Sequence, residues 1–191
     1  MSVGLTLISL ALAVGGLLVG EKQDDLRIKA PTKLLASTLF IVIACNAGAM
    51  ATGYGQMILA ALAASWVGDA CLLSMRAAVF KAGILAFLLG HVAFAAAFVV
   101  RGVDLSWLAG GAVAVIVVAA VIDRWLYPQV DDDFRVPVRA YIGVISAMVS
   151  LALGCYGAGH SWLIPAGAVA FFISDITVAL DRFVEPRFVN R

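Results

Sequence analysis

Charge is scarce in this sequence. Of 191 residues, 13 are Lys or Arg and 12 are Asp or Glu, so 13% are charged, roughly half the share in a soluble domain. The net charge of +1 gives no basic excess for nucleic acid, and no long run of like charge forms a tail. Two histidines, His91 and His160, are too few for a histidine-rich metal cage. Three cysteines, Cys45, Cys71 and Cys155, have no CxxC spacing and lie inside apolar stretches. They read as small core hydrophobes rather than a disulfide or zinc framework. No metal and no cofactor are called for.

What the sequence has is apolar surface. It is 63% hydrophobic, with a mean hydropathy of +1.04. Disorder is excluded, because it needs low hydrophobicity and high net charge. The strict alternation of an outer-membrane barrel is missing. Charged residues and turn formers instead cut the chain into seven apolar blocks, near 3–20, 34–52, 55–74, 79–100, 105–122, 138–156 and 162–181. Each approaches the ~20 residues that cross a bilayer as a helix. The expected fold is therefore an all-α polytopic bundle forming one integral membrane domain. The first block lacks a basic leader, and its Ala11-Leu12-Ala13 triplet is a poor cleavage site, so it reads as a span.

Basic residues fix the expected orientation. With the N-terminus outside, twelve of the 13 Lys and Arg residues fall on the cytosolic side, and only Arg101 falls outside. An even number of spans would break that asymmetry. The many Gly and Ala residues, including Gly16-x-x-x-Gly20, suit close helix packing in lipid.

Most acidic residues fall in the expected loops or at helix ends. Asp69, in LAASWVGDACLL, and Asp175, in AVAFFISDITVAL, do not. A carboxylate at membrane depth costs several kcal/mol and is retained where it meets a cavity, a partner or a substrate. The seven-span topology puts both in the cytosolic half at a shared depth. Two carboxyls facing each other there would divide one proton, supplying an acid and a base. His91 could orient a carboxylate or bind substrate, and Tyr141 enters its helix near the aspartate level. Ser174 precedes Asp175. Asn46 reads as interhelical glue and His160 as structural. Lys29, Lys33 and Arg139 could form a basic rim for a phosphate.

These blocks resemble the YhhN-like family, also called the TMEM86 or lysoplasmalogenase family. The likeness runs over roughly 29–186 and rests on Lys29-Ala30-Pro31-Thr32, Gly68-Asp69, Gly90-His91-Val92-Ala93-Phe94 and Ser174-Asp175 with Arg182-Phe183. Phe94 stands where the family usually has Tyr. The family's usual eighth helix has no counterpart before Arg191. The resemblance implies hydrolysis of the vinyl ether of a lysoplasmalogen to a fatty aldehyde and a glycerophospho-base. It also implies Asp69 and Asp175 as the catalytic pair. His91, Tyr141, Ser174 and Lys29 are expected, from their own positions, about the substrate, a lysophospholipid drawn from the membrane. The residues alone leave two alternatives open: a small proton-coupled transporter that uses the two aspartates as a relay, or a non-catalytic lipid-binding protein.

Overall fold

The computed structural model describes residues 9, 12–16, 26–74 and 76–184. All regular structure among them is helical: α1 (Leu26–Asn46), α2 (Gly53–Leu72), α3 (Ala77–Arg101), α4 (Leu105–Leu126), α5 (Asp132–Gly157) and α6 (Leu163–Phe183), with single 3-10 turns at Ala49–Ala51 and Tyr127–Gln129. Six of these helices are long and apolar enough to cross a membrane. They correspond to the second to seventh apolar blocks. Most of the first block lies outside the described residues; its part at 12–16 is helical. The chain is a helical, multi-pass membrane protein.

Two helices begin earlier than their apolar blocks. The blocks start at 34 and 138, whereas α1 starts at Leu26 and α5 at Asp132. Lys29, Lys33, Arg135 and Arg139, expected in loops, therefore lie in helical turns. Lys and Arg are good helix formers, and near a helix end they reach interfacial water. Hydropathy thus stops at the charges while the backbone hydrogen bonds continue. At its other end α1 stops at Asn46, six residues before the block does, because Gly48 turns into the left-handed region at φ 82°.

The chain divides into two compact units, 1–93 and 94–191. In the first, α1 packs on α2. Ala13 is buried with Ala36 and Leu39 of α1. The contact between α2 and α3 is made by missing side chains. A Cβ on Gly68 would lie 2.5 Å from the Phe87 ring, one on Gly83 3.0 Å from Cys71, and one on Gly90 3.1 Å from Ser65. Backbones that come this close gain dispersion contact, the main attraction between helices in lipid.

In the second unit α5 packs on both α4 and α6. Its buried stripe of Ile145, Met148, Val149, Ala152 and Cys155 follows the helical repeat. At one end Asp104 caps α4 by accepting from the Trp107 N–H at 2.9 Å. The Asp104 N–H donates to the Gly154 carbonyl at 2.9 Å. His160 Nε2 lies 3.0 Å from the Arg101 carbonyl, which ties the two turns together and gives His160 the structural role its position suggested. The outward faces are apolar: Val113, Ile116, Val117 and Val121 of α4 are all largely exposed. Such a face belongs in lipid rather than water.

Candidate active site

Asp69 sits on α2 three residues before the helix ends, a rise of about 5 Å. Both of its carboxylate oxygens are engaged from α1. Lys33 Nζ lies 3.3 Å from Oδ1, and the Ser37 hydroxyl donates to Oδ2. Lys33 and Ser37 are four residues apart, so one turn of α1 presents both on one face. One turn deeper, Trp66 Nε1 donates to Thr38 Oγ1 at 3.1 Å and fixes the register of the two helices. The ion pair is mostly enclosed, with side-chain exposures of 18% for Lys33 and 21% for Asp69. An opposite charge and a hydroxyl offset the cost of a carboxylate at this depth.

Asp175 sits on α6 eight residues before its end, about 12 Å. Tyr141 of α5 donates its phenolic hydrogen to Oδ2 at 2.7 Å. Ring contacts anchor α6 on either side of this bond. Phe171 meets Phe94 edge-on at 6.0 Å, and Phe183 meets Phe134 at 5.7 Å.

Ser174 is exposed, and its carbonyl accepts from Thr177 Oγ1 at 2.6 Å. His91 is buried, at 1% exposure. Its neighbour Gly90 abuts Ser65 and Ala61, whereas Gly83 abuts Cys71. That register sets His91 roughly 10 Å farther along the α2–α3 pair than Asp69. Lys29 stands one turn before Lys33 on the same helix face, and Lys33 is the lysine that meets Asp69. Arg139 is engaged elsewhere in its own unit. It forms a two-pronged pair with Asp123 at 3.1 and 3.2 Å and lies 3.8 Å over the Tyr127 ring. Ser37 is the residue that sequence reasoning missed. Its only signal was the Lys33-x-x-x-Ser37 spacing, which is common in helices and became specific once α1 was seen to extend through Lys33.

The sequence matches the YhhN family over residues 28–191. The chain belongs to the YhhN family. Among curated relatives it is 30% identical to bovine lysoplasmalogenase TMEM86A (68% of this chain, 55% of the relative) and 34% identical to human lysoplasmalogenase TMEM86B (70% and 54%). A lysoplasmalogenase of Mycobacterium tuberculosis is 30% identical over 94% of this chain and 68% of the relative. The chain spans about half the length of the mammalian relatives it matches. No solved structure matches. For this YhhN-family chain, the Gly68-Asp69 and Ser174-Asp175 blocks lie inside the matched region, and each carries an aspartate bonded by a neighbouring helix.

Proposed function

We propose that this chain is an intramembrane hydrolase that cleaves the vinyl ether of a lysoplasmalogen, with Asp69 and Asp175 as its acidic groups. One observation carries the reading. The two aspartates that the family resemblance marks are each embedded in a membrane-length helix and each bonded by a polar side chain of the adjacent helix.

The chemistry needs little else. A carboxylic acid gives its proton to the β-carbon of the vinyl ether, and the C=C electron pair forms the new C–H bond. The cation left on the α-carbon is shared with the ether oxygen as an oxocarbenium ion, which an aspartate anion stabilises. Water adds to the α-carbon and returns a proton to the first carboxylate. The hemiacetal collapses as its hydroxyl proton passes to the departing glycerol oxygen, leaving a fatty aldehyde and a glycerophospho-base. The single-chain lipid substrate enters from the surrounding bilayer. The distribution of basic residues supports an N-terminus outside and a C-terminus in the cytosol.

The test is aldehyde release from 1-alkenyl lysophosphatidylcholine and lysophosphatidylethanolamine by the purified protein in detergent. Asp69→Asn and Asp175→Asn are each expected to lower the rate by about a hundredfold or more. Aldehyde release that survives both substitutions would remove these residues from the chemistry. Proton flux in liposomes with no aldehyde formed would favour a transporter instead.

A further inference from the structure

We infer that the Asp175 carboxyl acts on lipid from one leaflet only, the leaflet bordered by the Asp123–Arg139 pair. The inference rests on the hydrolase reading above and deepens it by naming where the substrate comes from. Every residue it uses lies in the second unit.

Three helices of that unit carry the same two markers. Aromatic rings collect at both faces of a bilayer, and charged side chains near helix ends stay where water reaches them. On α4, Trp107 and Trp125 are both exposed and lie about 27 Å apart along the helix. On α5, Tyr156 packs edge-on against Trp107 at 5.2 Å. Arg139, paired with Asp123 of α4, lies about 26 Å along α5 from Tyr156. On α6, the exposed Trp162 stands at the start of the helix, and Asp181 follows about 28 Å later. Each spacing is close to the ~30 Å of a hydrocarbon core. Trp107, Tyr156 and Trp162 therefore mark one face of the membrane. Trp125, the Asp123–Arg139 pair and Asp181 mark the other.

Asp175 is not midway between them. Along α6 it lies about 9 Å from Asp181 and about 20 Å from Trp162. Tyr141, whose hydroxyl donates to Oδ2 at 2.7 Å, lies about 3 Å along α5 from Arg139 and about 22 Å from Tyr156. Phe134 of α5 meets Phe183 of α6 at 5.7 Å, so the two helices reach that face in one register and their spacings agree.

The double bond of a lysoplasmalogen is formed by the first two carbons of its chain, directly below the glycerol oxygen. A lipid of the near leaflet brings it to the carboxyl by sinking less than about 9 Å. A lipid of the far leaflet would have to sink about 20 Å and draw its charged phosphate into hydrocarbon, which is strongly disfavoured. Ile173 and Ser174, beside Asp175, are exposed. A chain can approach from the side while its head group stays in interfacial water. In the orientation proposed above, the near leaflet is the cytosolic one.

The experiment reads side and depth separately. The protein, with an affinity tag after Arg191, is reconstituted at no more than one molecule per liposome. Because α6 ends at the near face, vesicles captured by the tag have that face outward. 1-Alkenyl lysophosphatidylcholine is added from outside, and the initial rate is taken before its head group can cross the bilayer. Captured vesicles are expected to release aldehyde at least about tenfold faster per protein molecule than uncaptured ones, and detergent should make the two equal. Equal rates before detergent, or faster release by the uncaptured vesicles, would overturn the inference. Depth is measured without turnover, in protein whose Cys45, Cys71 and Cys155 are replaced by alanine. Nitroxide labels at Ser174→Cys, Trp125→Cys and Trp107→Cys are compared by collision with oxygen and with a water-soluble nickel chelate. The label at 174 is expected nearer in depth to that at 125 than to that at 107, and a label midway or nearer 107 would also overturn the inference. If the protein released no aldehyde even in detergent, the hydrolase reading would fail while the labels still decided the level of Asp175.

Discussion

The Tyr141 hydroxyl donates to Asp175 Oδ2 at 2.7 Å, bridging α5 and α6. A phenol reaching a carboxyl inside a membrane helix pair has two effects. It satisfies a polar group that hydrocarbon would leave bare, and it sets the direction in which the carboxyl points. Tyr141→Phe keeps the ring and removes only the bond. The expected loss is about tenfold in kcat for lysoplasmalogen, the rate equivalent of roughly 1.4 kcal/mol. Thermal unfolding in detergent should shift little, and an unchanged kcat would mean that the bond is only structural.

A second prediction concerns packing. A methyl group at Gly68 would sit 2.5 Å from the Phe87 ring, so Gly68→Ala forces α2 and α3 apart or rotates the ring. Overpacking of this kind costs typically 1–3 kcal/mol. The melting temperature should fall, and Phe87→Leu in the same protein should restore part of it. A Gly68→Ala protein as stable as the parent would show that the two helices do not need their close approach.

Arg139 gives the opposite expectation. Its guanidinium is already shared between Asp123 and the Tyr127 ring. Arg139→Gln should therefore change KM for the lysophospholipid by less than about twofold, and stability only slightly, as is usual for an exposed ion pair. A large rise in KM, measured by aldehyde release against substrate concentration, would return this residue to the phosphate.

Orientation can be tested directly. Twelve of the 13 basic residues fall on one side of the proposed seven-span topology, and the proposal that follows is a C-terminus in the cytosol. In a bacterial host, a fluorescent protein fused after Arg191 should fluoresce, and alkaline phosphatase fused there should be inactive. The reverse pattern would invert the topology.

The helices were legible because crossing a bilayer is a one-dimensional requirement. Enough apolar residues in a row suffice, and the second to seventh blocks became α1 to α6. Their ends were less legible. Hydropathy cannot tell a charged loop from a charged helical turn in interfacial water, so α1 and α5 began six to eight residues before their blocks. Asp69 and Asp175 stood out because their charge is costly where it lies, and Tyr141 was legible from its depth. Lys33 was attributed to the rim and Ser37 went unnoticed.

The sequence by itself determined that this chain enters a membrane, where its helices run, and which two carboxyls are out of place in them. Tertiary structure decided what those carboxyls touch. In a soluble helix the polar face marks the outside, so a pattern of residues also predicts rotation. A membrane helix is apolar on the face toward lipid and on the face toward its neighbour. Which way Lys33, Ser37 and Tyr141 turn is therefore set by the packing of α1 on α2 and along α5, and by the hydrogen bonds that only a particular neighbour can complete.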